Sequence, residues 1–113
     1  MKLVKKEQVL TFKNSDVCTA YEYPFEDDDI NGAVIKLRGR YPNRGCVRNN
    51  VCKELVYIIF GAGKVTVEGK ELSLNVGDMV LILPGERYYF EGNLEMMMPC
   101  TPAWYAEQHE EIE

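Results

Sequence analysis

Residues 54–93 read ELVYIIFGAGKVTVEGKELSLNVGDMVLILPGERYYFEGN, and nearly every position in this run is either a β-favouring residue or a turn former. Leu55 to Phe60 is apolar and rich in β-branched side chains, and Gly61-Ala62-Gly63 interrupts it. From Lys64 to Glu68 the pattern alternates, with Val65 and Val67 on one face and Lys64, Thr66 and Glu68 on the other. Gly69-Lys70 predicts a reversal, and Glu71 to Leu74 alternates again. Gly77-Asp78 predicts a further turn, and Pro84-Gly85 closes the apolar strand Met79 to Leu83 before Arg87 to Phe90 opens the next. Strands this short, joined by turns this tight, suit a closed or two-layered antiparallel barrel.

The same stretch resembles the cupin superfamily. In that family's second motif a glycine is followed by a proline, a glycine, a histidine and an asparagine at set intervals. Gly77 and Gly85 match, Pro84 and Asn93 each fall one place late, and Tyr88 stands at the histidine position. Glu54 and Gly61 match the second half of the first motif, whose histidine pair would fall at Val47 and Asn49 or at Arg48 and Asn50. The resemblance implies a single cupin-like domain over residues 1–113, an all-β antiparallel jelly-roll barrel. It implies an atypical member too, because the metal-binding histidines are missing, and no metal or other cofactor is expected.

A chain of 113 residues builds one core and is too short for two. Its net charge of −5 argues against a nucleic-acid partner, which needs a dense basic face, and against an anionic membrane surface. No apolar run reaches the roughly 20 residues of a spanning helix, and the basic start Met1 to Lys6 lacks the apolar core of a signal peptide, so a cytoplasmic protein is expected. Cys18, Cys46, Cys52 and Cys100 show no Cys-x-x-Cys spacing and read as free thiols.

Along the rest of the chain, Lys2 to Phe12 predicts an edge strand. Asp16 to Tyr23 predicts another strand, with Val17, Thr19, Tyr21 and Tyr23 on one face and Cys18, Ala20 and Glu22 on the other. The acidic run Glu26 to Asp29 lacks the spread ligands and the glycine of a calcium loop and reads as solvated. Ala33 to Tyr41 alternates strictly, placing Ala33, Ile35, Leu37 and Tyr41 opposite Lys36, Arg38 and Arg40, the wet face of a half-buried strand. Leu94 to Met98 predicts the last barrel strand, with Pro99 and Pro102 stopping regular pairing. Ala103-Trp104-Tyr105 predicts an aromatic plug, and Glu107 to Glu113 a short helical turn or frayed end. His109, the only histidine, lies in this acidic tail and reads as a surface residue.

Alternation puts Glu54, Val56 and Ile58 on one face, and Tyr88 and Phe90 on another. The family resemblance implies that both sets point inward. A glutamate so placed has a raised pKa unless Arg48, Arg87 or another cation pairs with it. Three classes of function stay open. The first, which the residues favour, is a metal-free small-molecule binder taking a carbohydrate-like or carboxylate-bearing ligand, with Arg48, Asn49, Asn50, Glu54, Tyr88 and Phe90 as the candidate ligand-binding residues. The second is a metal-independent isomerase, epimerase or lyase in which Glu54 and Tyr88 move protons. The third is an unorthodox metal site of Glu54 and Tyr88 with Cys46 or Cys52. Leu55, Tyr57 and Ile59, apolar on the face opposite Glu54, predict a second copy of the chain as cover and hence a homodimer.

Overall fold

In the computed structural model, which describes residues 1–113, nine strands follow one another. They are β1 (Leu10–Ser15), β2 (Cys18–Tyr23), β3 (Asn31–Tyr41), β4 (Cys46–Asn49), β5 (Lys53–Val67), β6 (Lys70–Asn75), β7 (Met79–Ile82), β8 (Tyr88–Thr101) and β9 (His109–Ile112). All pairing is antiparallel, and the sheet curls into a jelly-roll barrel. No helix is long and apolar enough to cross a membrane.

The long strand β8 joins the two halves of the barrel. One edge carries β3, from Asn31 opposite Cys100 to Tyr41 opposite Phe90, with β2 and β1 beyond it. Its other edge carries β5, from Lys53 opposite Thr101 to Val67 opposite Tyr88. The far edge of β5 is shared by β6 and β7. Strand β4 meets β8 at Val47 and Tyr88 and carries β9 on its free side. Even-numbered residues of β8 point inward throughout, so Tyr88, Phe90, Leu94, Met96, Met98 and Cys100 are all buried.

Strand β5 cannot keep one parity, because a bulge between Ile58 and Phe60 inserts a residue against β8. Before the bulge Glu54, Val56 and Ile58 face inward. After it Val65 does, and Val67 packs against the same core. This extra residue lets one strand line both ends of the barrel.

Several sequence-based expectations differ from the structure: the edge strand expected over Lys2 to Phe12 begins only at Leu10, after a 3₁₀ turn at Lys6–Gln8, and the strands expected at Arg87 to Phe90 and Leu94 to Met98 are one continuous β8. Gly61-Ala62-Gly63 does not break the strand: β5 runs straight through it, and the glycines serve close approach to β8. A Cβ on Gly61 or Gly63 would strike the backbone oxygen of Asn93 or Glu91, and one on Gly92 would lie 2.6 Å from the Gly63 Cα. Nor does Pro99 end β8. It pairs with Gly32 on the β3 side and lies where the β5 ladder has no partners, between Glu54 and Tyr57, so its missing N–H breaks no bond. Finally, the tail is no frayed end: after a 3₁₀ turn at Ala106–Gln108 it forms β9. The reversal after β5 falls at Glu68-Gly69, whose φ values of 47° and 79° fit a type I′ hairpin turn.

The outward side of β5 and its neighbours is apolar. Leu55 stands opposite Leu81, and Tyr57 is flanked by Met79 and Met97. Leu55, Ile59, Met79, Leu81 and Met97 are 38 to 60% exposed, so nothing in the chain covers them.

The glycine crossing can be tested directly. Gly63→Ala should destabilise the fold by about 1–3 kcal/mol through overpacking, whereas Gly32→Ala, whose Cβ would meet nothing within 4 Å, should be near neutral. Urea unfolding of the two variants checks this, and equal stabilities would show that the backbones yield at the crossing.

Candidate functional site

Alternation along β4 decides which polar residues reach the interior. Val47 and Asn49 point inward and are buried, while Arg48 between them points out. Strand β5 brings Glu54 inward at 8% exposure, and β8 brings Tyr88 and Phe90. The Asn49 side chain lies among them. Its Nδ2 donates to Glu54 Oε1 and, at 3.4 Å, to the Tyr88 hydroxyl. That hydroxyl donates to the same carboxyl oxygen at 3.3 Å, and the Phe90 ring meets the Tyr88 ring edge-on with centroids 5.7 Å apart.

The other end of the Asn49 amide holds the C-terminal segment. Its Oδ1 accepts from Trp104 Nε1 at 3.2 Å and from Gln108 Nε2 at 2.8 Å, and the His109 Nδ1 lies 3.0 Å away. Gln108 is itself anchored, its Oε1 accepting from the backbone N–H groups of Val51 and Cys52 at 3.2 and 3.1 Å. The orientation of Asn49 follows from chemistry, since an indole nitrogen can only donate and so faces the amide oxygen.

These groups close one end of a cavity of about 190 Å³. Cys18, Ala20, Ile35 and Leu37 from β2 and β3 make one wall, and Phe90, Met96 and Met98 from β8 make the other. Glu54, Tyr88, Trp104 and His109 supply polar atoms, joined by Asn14, Glu22, Asn31 and Tyr41. No lysine or arginine lines it.

Of the residues singled out from sequence, Glu54, Tyr88 and Phe90 line the cavity and Asn49 ties its polar end together. Arg48 and Asn50 lie outside. Both bond the carboxylate of Glu110 on β9, Arg48 through Nη2 at 2.9 Å and Asn50 through Nδ2 at 3.3 Å. Arg87 is likewise engaged, by Glu68. The arginines of β3 stay on the outer face, where Arg40 bonds the carbonyls of Pro42 and Gly45 and lies over the Tyr89 ring.

His109, which the sequence places at the surface, is half-buried and lines the cavity beside Trp104, the ring centroids 5.5 Å apart. Composition hid it. The tail's glutamates point to solvent, and its non-acidic positions Gln108, His109 and Ile112 are the ones turned toward the protein. That pattern within an acidic run is the signal that could have found it.

With no cation paired to it, Glu54 has its pKa raised by burial, against the opposing hydrogen bonds from Asn49 and Tyr88. Burial, then the nearby Glu54, pushes the Tyr88 phenol well above its ordinary range. Tyr41 is pushed up to about 12, mainly by burial. Burial lowers the His109 imidazole below its usual value, so it stays neutral near pH 7. The thiols of Cys52 and Cys100, beside Glu54, are raised by burial and remain protonated. The unorthodox metal site that the sequence leaves open, with Glu54, Tyr88 and Cys46 or Cys52, finds no fitting set of donors here. No three His, Cys, Asp or Glu side chains converge to hold one, and a protonated thiol is a poor ligand.

The raised Glu54 pKa fixes a sign. The folded state binds this proton more tightly, so the group's contribution to stability is full below its ordinary value of 4.5 and is lost as pH rises through the folded value. Glu54→Gln keeps an acceptor for Asn49 and removes that loss. In thermal melts from about pH 4 to about pH 8 the variant should gain on the wild type by up to ~1.4 kcal/mol per pH unit. His109 titrates in both proteins and cancels, so a pH-independent difference would mean that Glu54 keeps an ordinary pKa.

No protein-family model and no curated protein sequence matches the chain. Solved structures do. The chain is similar to Pac13 of Streptomyces, a nucleoside dehydratase, with 15% identity, a TM-score of 0.90 and coverage of 100% of this chain and 92% of that one. A PAC13 variant with uridine matches at a TM-score of 0.89 with 15% identity, over 98% of this chain and 90% of that one. KdgF from Halomonas sp. matches at 0.71 with 15% identity, over 90% of this chain and 94% of that one. An oxalate decarboxylase of B. subtilis matches at 0.81 with 15% identity, over 99% of this chain and 32% of that longer one. What the chain shares with them is architecture: it is an antiparallel β-barrel of the cupin fold.

Proposed function

We propose that the chain binds a small, uncharged, hydroxyl-bearing compound, a free nucleoside or sugar, inside the barrel and without a metal ion. The observation that carries this is the charge of the cavity: Glu22 and Glu54 line it and no lysine or arginine does. Carboxyl oxygens and neutral phenols suit hydroxyl partners, whereas a buried phosphate or carboxylate needs a cation or a cluster of donors. This speaks against the carboxylate-bearing alternative that the sequence allows. Phe90 and Met96 on one wall and Leu37 on the other offer apolar surfaces to a ring, and the volume suits a ligand smaller than those of drug-sized pockets of roughly 300–1,000 Å³. The fold shared with a nucleoside dehydratase and with its uridine complex supports the same ligand class.

A second reading is a metal-independent isomerase, epimerase or lyase acting on that ligand, with Glu54 and Tyr88 moving protons. Its support is that three proton-transfer groups, including an unexpected imidazole, line one cavity. Metal independence is supported by the scattered donors and the protonated thiols. Four unpaired cysteines support a reducing, cytoplasmic setting.

Calorimetry should find uridine or ribose bound at least about tenfold more tightly than uridine monophosphate or glucuronate, a gap of ~1.4 kcal/mol. Tyr88→Phe should weaken uridine by ~0.5–1.5 kcal/mol, the value of one hydrogen bond. Tighter binding of the phosphate ester, or one equivalent of metal that is lost on Glu54→Gln, would sink the proposal.

The chain is also proposed to pair with a second copy through the exposed apolar face around Leu55, Tyr57, Met79, Leu81 and Met97. Light scattering should give twice the 13.0 kDa chain mass, and Leu81→Glu should shift it to the monomer. A monomer at all concentrations would refute the pairing.

A further inference from the structure

Asn49 and Gln108 together determine which nitrogen of His109 carries its hydrogen. The Asn49 oxygen is identified by the Trp104 indole N–H that it accepts at 3.2 Å. The Gln108 group facing the same oxygen is its amide nitrogen, because the Gln108 oxygen is taken by two backbone N–H groups. His109 Nδ1 lies 3.0 Å from that oxygen and can bond it only as a donor. In a neutral imidazole the other nitrogen then keeps a bare lone pair. Nε2 has no hydrogen-bond partner in the protein, and the ring lines the cavity.

We propose that His109 is the proton acceptor of this site. Its Nε2 takes a hydrogen bond from a hydroxyl of the bound uncharged compound and, in a reacting complex, takes that hydrogen as a proton. This rests on the reading of the cavity as a site for such a compound. In the transfer the ligand O–H bond breaks, its electron pair stays on the ligand oxygen, and the imidazole becomes a cation with Nδ1–H still held by Asn49. The other end of the Asn49 amide bonds Glu54, whose carboxyl, when protonated, can return a proton to the ligand, so removal and return need no outside reactant. Asn49 is the positioning residue, and Trp104 and Gln108 hold it. The other titratable groups to reckon with are Glu111 on its own strand and, in the same cavity lining, Cys18, Glu22, Tyr41, Glu54, Tyr88 and Cys100. None is a cation.

A single histidine makes the test unambiguous, since a long-range ¹H–¹⁵N spectrum of labelled protein shows one imidazole. At about pH 7.5, above the ordinary His value, Nδ1 should be protonated and Nε2 bare. Added uridine should shift the Nε2 resonance and leave Nδ1 in place. Uridine affinity, measured by calorimetry, should be constant above the His109 midpoint and fall below it, by up to about tenfold in total, the value of one hydrogen bond. A protonated Nε2 in the free protein at that pH overturns the inference whether or not uridine binds. Uridine that binds without moving Nε2 overturns it too and leaves the cavity reading intact. Failure of both uridine and ribose to bind removes the cavity reading and this inference with it.

Discussion

One buried carboxamide holds the polar end of this barrel's cavity together. Asn49 has a single oxygen and a single NH₂, and every direction of both is used: three groups from the C-terminal segment on the oxygen, a carboxyl and a phenol on the nitrogen. Each of those partners is wholly or partly withdrawn from water, where an unmade hydrogen bond costs about 1–3 kcal/mol. The amide therefore does more than position side chains. It makes strands β4, β5 and β8 and the chain terminus mutually dependent, because none can shift without stranding a polar group on another.

The two faces of β5 carry separate tasks, and the bulge near Ile59 is what makes that possible. A strict two-residue period would send Val65 and Val67 outward once Glu54 and Val56 point in. One inserted residue restores the inner face and leaves the outer one apolar around Leu55 and Tyr57. The glycine crossing with β8 lets the two long strands lie close enough for both to curl round the same core. Cavity and outer surface are thus opposite sides of one element.

Much of this fold was legible in the sequence, and the limits of that legibility have physical causes. The reversals around Gly69, Gly77 and Gly85 are local events, decided by residues that accept a left-handed backbone, so composition announces them, although the first two fall one residue earlier than the Gly69-Lys70 and Gly77-Asp78 pairs suggest. Gly61 and Gly63 look the same on paper but answer to a strand some thirty residues away, which no local pattern reveals. In the site, Glu54 and Tyr88 follow from alternation along strands that were clear. Arg48, Asn49 and Asn50 could not be sorted, since a one-residue change of register exchanges inside for outside. His109 was hidden for a related reason: its burial depends on β9 pairing with β4, sixty positions earlier, and the charges around it spoke for solvent.

The attachment of the tail has a consequence for how such a barrel diversifies. Trp104, Gln108 and His109 all lie beyond the last barrel strand, on a segment that pairs only with β4 and locks through Asn49. None of the eight strands before it passes through that segment. Replacing Trp104, Gln108 or His109 therefore changes one polar wall of the cavity, but only side chains that still satisfy the Asn49 oxygen and the Val51 and Cys52 N–H groups can stand there, so variation at this wall is confined to what those buried groups accept.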